Sequence, residues 1–316
     1  MKNTQVIQLM SIVRLSIFML GITMMSCNSK KEQQLPAIGK SVALFDYFSY
    51  KGNDDFYISN PLSDEDYFYN PILPGWYSDP SVCTNGEGDY FLVTSTFTYF
   101  PGVPIFHSKD LVNWKQIGHV LNRASQLVNM EGQKVSGGIF APAISYNPYN
   151  KTYYMVTINV GAGNFFVKTQ DPFGEWSEPV MLPEVGGIDP SFFFDEDGKA
   201  YIVNNDEAPD NKPEYSGHRT IRIQEFDVKT DKTIGPRKIL VNKGAQPADK
   251  PIWIEGPHLY KINGKYFLMS AEGGTGNWHS EVILCGDSPM GKFLPWKNNP
   301  ILTQRHLNSD RPNSVT

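Results

Sequence analysis

The sequence predicts an all-β fold of the propeller kind, and three observations lead there. Apolar residues make up 40% of the chain and aromatics 13%, with 27 Gly and 23 Pro among 316 residues. That mix suits short strands joined by tight turns. No long helical periodicity follows the N-terminal segment; β-rich runs alternate with Gly, Asn, Asp and Pro instead. One hairpin also recurs: "YSDPSVCTNGEGDYFLVTST" (Tyr77–Thr96) returns as "GIDPSFFFDEDGKAYIVNND" (Gly187–Asp206). Each copy opens on Asp-Pro-Ser, turns at an acidic tip containing Gly, and leaves along a second apolar run. Such repetition separates a propeller from a sandwich.

Taken in chain order, residues 1–27 read as a targeting segment. Lys2 and Arg14 precede or enter the apolar stretch Leu15–Met25, which is too short to span a bilayer. "MMSC" ends it, and a small residue followed by Cys resembles a bacterial lipobox. Cys27 is therefore expected to carry a lipid, giving an exported protein held to a bacterial membrane by that anchor alone and facing the periplasm. Residues 28–69 are polar and irregular, a tether followed by an N-terminal arm. A net charge of -5 with scattered Lys and Arg argues against a nucleic-acid partner. Cys83 and Cys285 lie in apolar strand-like runs and are expected as buried free thiols.

Residues 70–316 hold four aligned segments, beginning at Ser78, Phe140, Ile188 and Glu255 and anchored by Pro80, Pro142, Pro190 and Pro257. Each hairpin is followed by a third strand and a Trp- or Pro-bearing fourth, which makes one blade. "DEDG" (Asp195–Gly198) lacks the ligand spacing of a calcium loop and reads as a hairpin turn, as does Asn263–Gly264. "SFFF" (Ser191–Phe194) and Trp114, Trp176 and Trp296 read as packing. His258 reads as structural.

In a propeller the first strand of every blade lines the central channel, so equivalent positions converge near the axis. Proline fixes its own φ and is expected to hold the preceding residue extended. That residue is Asp79, Ala141, Asp189 and Gly256 in turn, with Glu255 one place before Gly256. Three carboxylates from three repeats are thus expected at one end of the channel. Glycoside hydrolysis with inversion needs this chemistry: one carboxylic acid protonates the leaving oxygen, and a carboxylate about 6.5–9.5 Å away activates water. Clustered like charges keep at least one proton bound near neutral pH.

"YSDPSV", "TSTFTYFPGVPIFHSKDLVNW", "SGGIFAP", "GIDPSFF" and "IEGPHLYKINGKYFLMSAEGGTG" closely resemble glycoside hydrolase family 43, the inverting β-xylosidases and α-L-arabinofuranosidases built on a five-bladed propeller. The resemblance implies Asp79 as general base, Glu255 as general acid and Asp189 as the group that tunes and orients the acid. It places Phe97 against the sugar ring and Phe140 near the same subsite. It further implies an exo-acting enzyme that takes xylose or arabinose from hemicellulose fragments, β-xylosidase favoured over α-L-arabinofuranosidase. A glycan-binding propeller without turnover is the alternative from another class. No cofactor is required. In the family a fifth-blade His near the axis can hold calcium or water, and that segment is absent here. The chain stops at "NSDRPNSVT", where the segment is expected to begin, so about four blades are expected, with sheet edges and part of the core left exposed.

Overall fold

The computed structural model describes residues 55–62 and 67–307. The targeting segment with Cys27, most of the arm and the last residues from Asn308 lie outside the described residues. The chain divides into two compact units, Met1–Ser63 and Asp64–Thr316. The described part of the first contains a five-residue helix, α1 (Asp55–Ser59), where the sequence suggests only irregular chain. No helix among the described residues is long and apolar enough to cross a membrane.

The second unit is built from four antiparallel sheets, each a meander of strands consecutive in the chain. The first comprises β1 (Ser81–Thr84), β2 (Tyr90–Val93), β3 (Gly102–Ser108) and β4 (Lys115–Leu121). The second comprises β5 (Ile139–Asn147), β6 (Thr152–Asn159), β7 (Gly163–Thr169) and β8 (Val180–Met181). The third comprises β9 (Ile188–Phe194), β10 (Ala200–Glu207), β11 (Arg219–Asp227) and β12 (Lys232–Asn242). The fourth comprises β13 (Glu255–Ile262), β14 (Lys265–Glu272), β15 (Ser280–Gly286) and β16 (Phe293–Pro295), and β17 (Leu302–Thr303) adds to β15. Four blades of a propeller are thus present. Asn263 and Gly264 close the β13–β14 hairpin with φ of 51° and 75°, the pair of positive values that a type I′ turn requires.

The core lies between the sheets. One apolar cluster joins the first sheet to the second, through Phe91, Ile105, Met155 and Trp176. Another joins second to third through Tyr154, Phe166 and Phe192, and another joins third to fourth through Phe193, Ile223 and Leu268. Strand alternation explains this arrangement: Phe192 and Phe193 are successive and point into different clusters. "SFFF" is therefore packing, as its pattern suggests. Trp296 departs from that reading. It is 48% exposed, because it faces away from the third sheet and, among the described residues, no apolar cluster covers that side of the fourth. Cys83 and Cys285 are free but half-buried, not buried.

Candidate active site

Asp79, Asp189 and Glu255 line one cavity of about 270 Å³, together with Ala141, Gly256 and His258. The repeats thus bring together the three carboxyls that their spacing singles out. His258, which reads as structural in the sequence, also reaches the cavity wall. Its ring stacks on Tyr260 at 6.3 Å between centroids, and burial pushes its pKa down to about 4, so it stands there neutral.

The extended geometry expected before each proline is not what the chain adopts. Asp79, Ala141, Asp189 and Gly256 all have positive φ, 53°, 37°, 54° and 56°. The register slips beside each of the last three, between Phe140 and Ala143, between Val203 and Asn205 on the strand facing Asp189, and between Glu255 and His258. In the second, third and fourth sheets a β-bulge at the head of the inner strand accompanies this conformation and overrides the pre-proline preference, whereas Asp79 stands just ahead of a regularly paired β1. Such a conformation costs about 1–3 kcal/mol in a residue other than glycine and persists where the surroundings dictate it. In the fourth sheet glycine takes the strained place and the acid stands one residue earlier.

Hydrogen bonds hold two of the three carboxyls. Ser95 Oγ donates to Asp79 Oδ2 and accepts from the Ala141 N–H at 2.7 Å, so one serine ties the first acid to the second sheet. The Gly256 N–H donates to Asp189 Oδ2 at 3.0 Å, tying the third sheet to the fourth. Burial pushes Asp189 up to about 7, against the pull of the Gly256 N–H and with help from the Asp79 charge. Burial likewise pushes Glu255 up to about 8; Asp189 and Asp79 raise it further, and Arg219 only partly opposes them. The cavity therefore holds two carboxyls, Asp189 and Glu255, whose proton affinity is raised to or above neutral pH.

The serines of the two Asp-Pro-Ser motifs join neighbouring inner strands. Ser81 Oγ accepts from the Ile144 N–H at 3.1 Å, and Ser191 Oγ donates to the Pro257 carbonyl at 2.6 Å. Neither Ser95 nor these two is marked by the sequence reading, although the repeated Ser after Pro is a visible signal for the pair. Phe97 and Phe140 pack edge-to-face at 5.5 Å, beside the cavity and not among its lining residues. Trp76, 68% exposed, stacks flat on Phe97 at 5.4 Å. The cavity also takes in Glu281, which no repeat marks.

A profile of the glycosyl hydrolases family 43 matches residues 68–315. The chain is 47% identical over 246 residues to a xylosidase/arabinosidase of Butyrivibrio fibrisolvens, covering 77% of this chain and 46% of that protein. It is 41% identical over 243 residues to a non-reducing end α-L-arabinofuranosidase of Bacteroides ovatus, covering 75% of this chain and 42% of the relative. A solved structure described as a GH43_12 retrieved from capybara gut metagenome superposes with a TM-score of 0.76 at 56% identity, over 81% of this chain and 48% of the other. The chain spans less than half the length of the curated relatives it matches.

Proposed function

The chain belongs to glycosyl hydrolases family 43, and we propose that it is an inverting, exo-acting glycoside hydrolase releasing xylose or arabinose from hemicellulose-derived oligosaccharides, β-xylosidase favoured. The observation that carries the reading is the convergence of Asp79, Asp189 and Glu255 on one cavity, two of them raised to about 7 and about 8. Glu255, protonated at neutral pH, is the general acid for the leaving oxygen. Asp79 is the base: Ser95 occupies one carboxylate oxygen, which leaves the other for a water. Asp189 tunes Glu255: the acid's own burial raises it most, and the neighbouring Asp189 carboxyl adds to that rise as it ionises. Phe97 and Phe140 with Trp76 form the aromatic wall beside the sugar.

Both proton transfers belong to carboxyls, so the reading requires no cofactor. The lipobox-like Cys27 supports export with a lipid anchor facing the periplasm; Cys27→Ala should move the protein from the membrane to the soluble fraction, and an unchanged membrane fraction contradicts the anchor.

The α-L-arabinofuranosidase reading stands second, because of the relative so named. Turnover of aryl β-xyloside against aryl α-arabinofuranoside decides between them, with proton NMR of the first product formed. A faster β-xyloside and initial α-xylose are the expected outcome. Initial β-xylose contradicts inversion. Sugar binding without turnover of either glycoside leaves a glycan-binding propeller.

A further inference from the structure

We propose that Glu281 is a substrate-binding residue of this cavity, accepting a hydroxyl of the sugar on the leaving-group side of the scissile bond. The inference rests on the glycosidase reading above and extends it to a residue outside the three acids. Glu255 pairs with Ala271 in the β13–β14 ladder, and Ala271 pairs with Glu281 in the β14–β15 ladder. Directly opposed residues of antiparallel strands project to the same face, so Glu255, Ala271 and Glu281 form one row across the fourth sheet. Two strand spacings of about 4.8 Å place Glu281 roughly 10 Å outward from Glu255. Ala271 between them adds only a methyl group, which leaves an open floor from one carboxyl to the other.

Val282 and Leu284 belong to the core shared with the third sheet, so Glu281, on the alternate register, faces the opposite side with the cavity. Its Oε2 is buried and has no hydrogen-bond partner. Among the described residues Glu281 also forms no ion pair, whereas Asp79 and Asp189 each hold a donor. A buried acceptor without a donor is costly, and a sugar hydroxyl entering the cavity supplies one. Burial alone pushes its pKa up, to about 7, with none of the three acids acting on it, in keeping with its distance from them. His279, also in the wall, is held in place by donating its Nδ1 hydrogen to the Gly274 carbonyl at 2.9 Å. Because Glu255 meets the glycosidic oxygen, groups farther out along its row meet the sugar that leaves.

The test compares the full wild-type chain with Glu281→Ala and Glu281→Gln on two substrates with the same glycone: xylobiose, whose leaving group is a sugar, and an aryl β-xyloside, whose leaving group has no sugar hydroxyls. Glu281→Ala should raise KM for xylobiose about tenfold, the loss of one hydrogen bond, with kcat and the aryl KM within about twofold of wild type. Glu281→Gln, which keeps an acceptor oxygen, should restore most of the loss. Calorimetric binding of xylobiose to the same proteins reads the same contact without turnover. An unchanged xylobiose KM and affinity in Glu281→Ala overturns the inference while leaving the glycosidase reading intact. A parallel rise on both substrates with a lower Tm assigns Glu281 to the fold and overturns it too. Wild-type protein that neither cleaves nor binds either substrate removes the glycosidase reading and this inference together.

Discussion

A glutamate in water gives up its proton near pH ~4.3, whereas Glu255 keeps its own until about 8. On the proposed mechanism the protonated form works, so kcat/KM should fall as pH rises through about 8, and a pH–rate profile that stays flat to pH 9 contradicts the role. Protonating the leaving oxygen matters most for a poor leaving group. Glu255→Gln should therefore lose about 10²–10⁴-fold in kcat/KM on xylo-oligosaccharides while retaining much of its activity on aryl glycosides of acidic phenols. Asp79→Asn should lose both. Equal losses on both substrates in folded Glu255→Gln protein remove the acid role. The same raised values affect stability. A carboxyl whose folded pKa lies above its unfolded value stabilises fully below the unfolded value, and that contribution disappears as pH rises through the folded one. For Asp189, at about 7, the loss falls between about pH 4 and pH 7. Asp189→Asn cannot ionise, so its Tm should exceed wild type by several degrees at pH 8.5 and match it only below about pH 4. Equal Tm values at both ends of that range contradict burial as the cause. The identity of the three acids is legible in the sequence through the repeat: Asp79 and Asp189 share one offset, and Glu255 stands one place before it. Ser95 and Glu281 are not: neither sits at a repeated position, and each meets the acids' cavity only because distant strands fold beside one another.

At the scale of the strand, the hairpins and their tips follow from local chemistry: paired apolar runs, a Gly-containing turn, and a proline at each inner strand. The bulge does not. Pre-proline sterics argue for extended chain, and only the closed ladder shows that Asp79, Asp189 and their equivalents leave it at positive φ. Helix α1 is equally illegible, since five residues carry too little periodicity to register. Gly187 shows what the bulge demands of its approach. Its φ is 71°, and a Cβ there meets the Asn205 carbonyl oxygen at 1.9 Å. Gly187→Ala should cost more than the roughly 1–3 kcal/mol of backbone strain alone, because the Asn205 backbone must also move, and, with Asp189 two residues on, lower kcat more than it raises KM. Gly198, at the hairpin tip, has φ 85° with nothing within 4 Å of a Cβ. Gly198→Ala should leave kcat unchanged and cost about 1–2 kcal/mol, from backbone strain alone. If urea denaturation and kinetics cannot separate the two variants, the Gly187 contact does not position the acid.

Across the molecule, stability is divided among interfaces between sheets, since each apolar cluster is shared by two of them. Each interface also carries an ion pair: Arg123–Glu178 at 2.8 Å between first and second sheets, Lys168–Asp231 at 2.6 Å between second and third, and Lys261–Asp195 at 2.9 Å between third and fourth. These pairs differ in what surrounds them. The Glu178 side chain is 59% exposed and that of Asp195 only 2%. Exposed pairs contribute at most about 1 kcal/mol, because water and salt screen them. Asp195 also accepts from Tyr266 Oη at 2.6 Å. Burial pushes its carboxyl up, yet Tyr266, Lys261 and the Glu196 N–H together hold it below the ordinary range. Its contribution therefore has the opposite sign to that of Asp189: present above the unfolded pKa of about 4 and lost as pH falls below it. Replacing Asp195 by Ala leaves Tyr266 Oη without its acceptor and Lys261 with only the exposed Glu196 carboxylate, at the join between the third and fourth sheets. Asp195→Ala should lower Tm by several degrees at pH 7, at about 2–4 °C per kcal/mol for a domain of this size, and by less at pH 3. Glu178→Ala should shift Tm by no more than about 2 °C at either pH. Hydrogen exchange should show the extra opening of Asp195→Ala in β13–β15, with β1–β7 protected as in wild type. Equal Tm losses in the two variants, or opening spread evenly over all four sheets, would mean that the fourth sheet is held by its apolar cluster alone.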